Sequence, residues 1–349
     1  MPDPTEGLPS GPARLPPQVV WAHGRVDMWG PIPPASKGSW RRRSVTPADP
    51  PLMDRTGTWG LPDVGFGFFL LIVLNVALGL AAGAVALRVI LSQPNVDPSD
   101  GEALTRAVFD RLPGILMSGP GVLASGLTMW AAFFLAPWLA TRNKGLKSLA
   151  VDFGFRVKWR RDILMGATFA LGLRVAESAV IAGITALGVD MSAVGNSDII
   201  TNLSGPWLII DAFIVAAIGA PVFEELFFRG LVFGAYLKNF ARDQDGAKPQ
   251  SLLGRWVIAR LSRLWAAWAS YRRFLYRWRV PLAVLVSSLM FGAVHHQGEN
   301  TFGSWFVVGT TTVIGLVLAV IRYRTGRLGT AICTHVLFNA SGVALALWL

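Results

Sequence analysis

The chain has 349 residues, of which 52% are hydrophobic and 15% charged, with a mean hydropathy of +0.47; a soluble domain carries roughly 25% charged residues, so a soluble globular protein is excluded. The formal charge of +11, from 32 Lys and Arg against 21 Asp and Glu, reads as loop chemistry facing anionic headgroups, with no nucleic-acid partner expected. Cys333 is the single cysteine, which excludes an intrachain disulfide and leaves the redox compartment open. The composition predicts an all-α, polytopic membrane protein: a bundle of about seven transmembrane helices behind a disordered N-terminal tail.

Residues 1–62 lack an apolar core and are broken by Pro16, Pro17, Pro33, Pro34, Pro50 and Pro51. They are expected to form a disordered, Pro-rich cytoplasmic tail and not a signal peptide. The cluster Arg41-Arg42-Arg43 suits a lipid surface or a partner, but an unstructured cytoplasmic leader is the preferred reading.

A bilayer crossing needs about 20 apolar helical residues. Such segments lie near 64–87, 112–140, 163–189, 207–237, 280–298, 302–321 and 328–349. Pro113, Pro120 and Pro137 predict that the second is partly broken or re-entrant. Residues 63–141 thus form N-terminal transmembrane helices, and residues 142–349 form a core that carries the unusual polar residues.

Basic residues alternate between successive loops. The first loop sets Arg88, Arg106 and Arg111 against Asp97, Asp100, Glu102 and Asp110; the second carries Arg142, Lys144, Lys147, Arg156, Lys158, Arg160 and Arg161. Asp190 and Asp198 follow the third span without a base, and Arg322, Arg324 and Arg327 follow the sixth. Lys and Arg accumulate on the cytoplasmic side, which predicts a multi-pass protein of the cell (inner or plasma) membrane with its N-terminus cytoplasmic.

The insert 239–279 interleaves Arg255, Arg260, Arg263, Arg272, Arg273, Arg277 and Arg279 with Trp256, Trp265, Trp268 and Trp278. This pattern describes a helix lying in the headgroup region, apolar face down, and makes membrane lipids a partner.

Within the fourth apolar segment stands Glu224-Glu225-Leu226-Phe227-Phe228-Arg229. A charge at membrane depth costs about 2.5–3.5 kcal/mol on insertion scales, so three in six residues point to function. Glu225 precedes Arg229 by four residues, the favourable order for an ion pair, and is assigned to it as support. Consecutive helical residues diverge by about 100°, so Glu224 is expected to face a different pocket and to be left for chemistry.

Phe291 with His295, and His335 with Asn339, are also spaced four apart. At about 1.5 Å per residue, Glu224 lies about 21 Å from Lys238, His295 about 22 Å from Val280 and Asn339 about 18 Å from Arg327. His335 comes out shallower, about 12 Å from Arg327. Three helices thereby deliver polar groups to one level. Glu224 with His295 could activate water, while His335 and Asn339 hold an oxyanion, giving a hydrolase without a covalent nucleophile. Pro221 and Gly230 could bend the helix and admit water.

Plainer readings exist for each residue. Single histidines and asparagines in membrane helices commonly tie helices together. Arg174 and Glu177 read as an internal ion pair, His296 as lining or interface, and Glu299 as a loop residue. The combination of motifs, and no one of them, points to catalysis.

Glu-Glu-x-x-x-Arg at Glu224, Glu225 and Arg229, Phe-x-x-x-His at Phe291 and His295, and His-x-x-x-Asn at His335 and Asn339 resemble the CPBP intramembrane proteases, the CaaX-protease and bacteriocin-processing family that includes type II CaaX prenyl endopeptidases. Gly309, Gly315 and the Thr325-Gly326 turn are similar to the family too, and the likeness covers about residues 142–349. It implies peptide-bond hydrolysis in the membrane, with a protein or peptide substrate, prenylated in some members, entering from the membrane or the cytoplasmic face. The insert 239–279 is longer than the family leads one to expect. A metal-free mechanism is favoured because no His-Glu-x-x-His occurs; zinc on Glu224, His295 and His335 is the alternative. Two other classes suit the same residues: a proton-coupled membrane transporter relaying protons through Glu224, Glu225 and the histidines, and a non-catalytic membrane scaffold or immunity factor of the same fold. The chain shows no internal repeat of the kind that builds many transporters.

Overall fold

A computed structural model describes residues 58–94, 97–189, 191, 205–241, 262–296 and 300–348, with no strand among them. The tail up to residue 57, with His23 and the Arg41-Arg42-Arg43 cluster, lies outside these residues, as do Asp198, Glu299 and residues 242–261 of the insert.

Helix α1 spans Leu61–Leu91, α2 Gly101–Leu116 and α3 Gly119–Lys144; a short α4, Leu149–Asp152, leads to α5, Trp159–Ala186. Helix α6 (residues 208–241) is continuous but changes winding, running as π-helix over Leu208–Gly219, α over Ala220–Glu224, π over Glu225–Val232 and α from Phe233 to Ala241. Then come α7 (Ser262–Arg277), α8 (Arg279–Ala293), α9 (Phe302–Thr325) and α10 (Gly329–Trp348).

Three helices start where the side chain of the N-cap residue occupies a backbone N–H that no helical carbonyl can reach. Asp100 accepts from Ala103 N at the head of α2, Ser118 from Gly121 N at α3, and Thr301 from Ser304 N at α9. Gly326 ends α9 with φ +70, a left-handed conformation that glycine adopts without steric penalty.

Among the described residues five helices, α1, α3, α5, α9 and α10, are long and apolar enough to cross a membrane, and the pair Ser270–Arg277 and Arg279–Ala293, bent by 75°, gives a sixth if the pair forms one span. The described residues thus bear out a multi-helix membrane bundle, and the expected count of about seven is not confirmed. The reasons are local: the fourth segment changes winding within α6, and α8 stops at Ala293, short of the expected 298. The second segment is cut at Met117 and Ser118, leaving α2 as a separate short helix. Leu80 on α1 is 72% exposed and Leu171 on α5 67%, which suits a lipid surface and would be untenable across whole helix faces in water.

Helix α6 occupies the centre, and every residue from Glu224 to Ala235 is buried. Phe227 stacks on Phe133 of α3 at 4.5 Å between ring centroids and meets Phe68 of α1 edge-on at 5.2 Å. Phe228 reaches Phe291 of α8 at 5.2 Å. Gly230, expected with Pro221 to bend the helix, lets the Phe153 side chain approach: a Cβ there would lie 3.2 Å from Phe153 Cβ. Trp59 and Phe153, 4.7 Å apart, close this aromatic core at its far end.

Candidate active site

Glu224 ends the α-helical turn of α6 and Glu225 begins the following π-helical stretch. Single-turn departures from α winding are frequent at functional sites because they re-aim side chains. Here both glutamates address one imidazole. His335 of α10 stands with Nδ1 3.1 Å from Glu225 Oε1 and Nε2 3.7 Å from Glu224 Oε2. The expected divergence of the two carboxylates is thus corrected: the ring lies between them and meets each on a different nitrogen.

Glu225 Oε1 also lies 2.9 Å from Arg229 Nη1, with both side chains fully buried. The guanidinium lies over the Phe291 ring at 4.0 Å, so one face of the cation rests on π density while its edge meets the carboxylate. Helix α9 comes close at Gly315, where a Cβ would sit 3.2 Å from Arg229 Nη2 and 3.1 Å from Ser288 Cβ. A side chain there would have to displace the cation.

Phe291 is the hub of the group. Its ring meets His295 edge-on at 4.6 Å and His335 at 5.7 Å, which explains why an aromatic ring four residues before the first histidine suits this site. His295 lies beyond the end of α8, and its Nδ1 is 2.7 Å from the Phe291 carbonyl. A carbonyl can only accept, so Nδ1 carries a hydrogen and Nε2 is left without a partner in that bond. By the same logic His335 Nδ1 donates to the Glu225 carboxylate.

The sequence pairing of Glu224 with His295 is not what the geometry brings together: the imidazole beside Glu224 is His335, and among the described residues no carboxylate lies within ion-pair distance of His295. Nor do Glu224, His295 and His335 converge as a zinc site, because among the described residues no three His, Cys, Asp or Glu side chains are placed to hold a metal ion. Glu224 and His335 supply two ligands, fewer than the three protein ligands of a catalytic zinc.

Asn339 is one turn beyond His335, and its Nδ2 donates to the Ala216 carbonyl at 3.0 Å. Elementary backbone bookkeeping explains this bond. The N–H of Ala220 goes to the Val215 carbonyl, and the next N–H that could reach Ala216 in π winding belongs to Pro221, which has none. Asn339 thus fills a vacancy that Pro221 creates, and one of its two N–H groups is left for other use. Asn339→Leu is expected to destabilise by about 1 kcal/mol by leaving a partly buried carbonyl unpaired. Adding Pro221→Ala, which restores a backbone donor, should recover part of the loss in thermal unfolding of the detergent-solubilised protein; no recovery would contradict this account.

Arg174 of α5 does more than pair with Glu177. Its Nη2 donates to the Phe338 carbonyl at 2.6 Å, its Nε to Ser341 Oγ at 3.2 Å, and its guanidinium covers the Phe338 ring at 3.9 Å. It therefore clamps the turn of α10 that carries His335 and Asn339. His296 packs edge-on against Trp305 at 4.9 Å, away from the glutamates.

One acid was missed in the sequence. Asp211 is 1% exposed in the first π stretch of α6, and neither carboxylate oxygen has a hydrogen-bond partner. It lies in the stretch of α6 whose Trp207 packs at Gly119 and whose Val215 packs at Gly126 of α3. A charged residue in an otherwise apolar span was the available signal.

Residues 206–341, which hold the two glutamates, Arg229, both histidines of the site and Asn339, match the sequence model described as type II CAAX prenyl endopeptidase Rce1-like. This part of the chain is a CPBP/CAAX-protease-family domain. Comparison with curated proteins and with solved structures gave no match. With several helices apolar enough to cross a bilayer, the CAAX-protease domain makes the chain a multi-pass membrane protein and, in general terms, a CAAX-type intramembrane protease in contact with lipids and a peptide substrate.

Proposed function

We propose that the protein hydrolyses peptide bonds of membrane-associated substrates, CAAX-type prenylated peptides among them, through a water activated by Glu224. The observation that carries this reading is the 3.7 Å between Glu224 Oε2 and His335 Nε2. That is too long for a hydrogen bond and suits two groups that hold the same water. Ionised Glu224, Glu225 and Arg229 sum to one negative charge, so one further proton shared by Glu224 and His335 neutralises a buried cluster.

In this scheme Glu224 takes a proton from water as the oxygen adds to the scissile carbonyl carbon. The second N–H of Asn339 and the protonated His335 stabilise the oxyanion. The proton passes to the amide nitrogen as the carbon–nitrogen bond breaks, and the second hydrogen of the water leaves the new carboxyl group for the amine, giving a carboxylate and an ammonium. His295, half-buried with Nε2 uncommitted, meets the substrate at the edge of the site. Glu225 and Arg229 position His335 and touch no substrate. The loop charges support an N-terminus on the cytoplasmic face of the cell membrane.

The test is purified full-length protein incubated with prenylated and unprenylated peptides, with products read by mass spectrometry. No cleavage of either, together with substrate-driven proton uptake into liposomes, would overturn the proposal in favour of a transporter. Treatment with a zinc chelator is expected to leave cleavage unchanged; loss restored by zinc would overturn the metal-free step.

A further inference from the structure

An apolar groove of about 340 Å³ opens between α5, α8 and α9, within the roughly 300–1,000 Å³ of small-ligand clefts. Its walls are Met165 and Phe169 from α5, Val284 from α8, and Leu316, Val317 and Val320 from α9; Arg324 stands at one end. No acidic residue lines it.

The two arginines in the last turn of α9 and the one just beyond it divide their work. Arg322 is fully buried and donates to the Phe153 carbonyl at 2.8 Å, and Arg327 is 2% exposed and pairs with Asp162 at 2.6 Å. Arg324 is exposed and has no acidic partner among the described residues. The neighbouring Thr325 hydroxyl is already committed to the Ile321 and Arg327 carbonyls. Arg161, also exposed, is one helical turn before Met165 and puts a second cation at the same end of α5's contribution to the wall. A cleft that is apolar along its length and cationic at its mouth, on helices that cross a bilayer, matches one kind of molecule.

We propose that this groove binds an anionic phospholipid of the surrounding bilayer, with its phosphate on Arg324 and Arg161 and an acyl chain along Val320, Val317 and Phe169. Basic pockets between membrane helices recognise anionic headgroups by this combination of charge and apolar contact. The occupant is not the scissile substrate. Helix α9 separates the two places, turning Gly315 toward Arg229 and Leu316, Val317 and Val320 toward the groove. The proposal stands whether or not the glutamate site is a peptidase.

The experiment reconstitutes the full-length protein in bilayers of equal dioleoylphosphatidylglycerol and dioleoylphosphatidylcholine, and native mass spectrometry reads the retained lipid. Phosphatidylglycerol adducts should predominate on the wild type. Near a membrane surface one arginine contributes about 1 kcal/mol toward anionic lipid, so Arg324→Gln should lower that preference about fivefold and Arg324→Lys should keep most of it. Val320→Trp, which fills the apolar wall while leaving both arginines, should lower total retained lipid. Both positions are exposed, so these variants keep the packed interior. Equal retention of the two lipids by the wild type would overturn the proposal, as would a preference unchanged by Arg324→Gln. Displacement of phosphatidylglycerol by a farnesylated peptide would overturn it too, by assigning the groove to substrate.

Discussion

Glu224→Gln is expected to lower kcat for peptide cleavage by about 10²–10⁴-fold, the usual contribution of a positioned general base, while the protein still elutes as an intact, folded species. The amide keeps the volume of the carboxylate and its place at the end of the α turn, but it cannot accept a proton from water. His335→Gln should fall in the same range, because Glu224 and His335 share one proton in the proposed step. The double variant should then be little worse than either single one, since groups acting as a unit are strongly non-additive. His295→Gln makes the contrast: its imidazole bonds to the Phe291 carbonyl and not to either glutamate, so its effect should be smaller and fall more on KM. Cleavage by Glu224→Gln at the wild-type rate would sink the mechanism.

The polar residues that gather at this site were legible in the sequence further than their geometry was. Charges in an apolar helix stand out on cost alone, and the i,i+4 spacing of Glu225 and Arg229 leads directly to their ion pair. The facing of Glu224 was not legible, because a fixed 100° per residue assumes α winding and α6 departs from it on both sides of the glutamates. A π-helical turn is a compromise with neighbouring helices, so the sequence of α6 alone does not announce it. The same holds for Asn339: its bond to Ala216 depends on where Pro221 removes a donor in another helix. Arg174 could be matched locally to Glu177, but its second commitment, to the Phe338 carbonyl, spans two helices far apart in the chain. Loop charge was also partly misread. Arg322 and Arg327 are internal fasteners, and Lys144 pairs with Asp63 at 2.8 Å, which leaves fewer cations than the count suggests to face headgroups.

Arg229→Ala is expected to be the most damaging single change in the protein. It leaves Glu225 fully buried, beside Glu224, with the guanidinium gone and only the His335 Nδ1 hydrogen to meet it, and breaking a buried pair in this way costs about 3–5 kcal/mol. Against a total stability of about 5–15 kcal/mol, that should show as loss of folded protein in detergent and a steep fall in unfolding temperature. The change also removes the cation that covers Phe291, so the contact between α6 and α8 loosens at the point where both histidines meet that ring. A charge-balanced double variant, Glu225→Gln with Arg229→Met, separates the two roles of the pair. It removes both charges while keeping side-chain volume, and should recover most of the stability, since replacing a buried ion pair with well-packed neutral groups is often neutral. Activity should not recover with it. Without the Glu225 carboxylate nothing holds the hydrogen on His335 Nδ1, and loss of such an orienting partner commonly lowers activity about 10–100-fold at metal-bound histidines, the nearest measured case. If the double variant regained stability and full activity together, Glu225 and Arg229 would be packing elements only, and the role of His335 as Glu224's proton partner would have to rest on the 3.7 Å contact by itself.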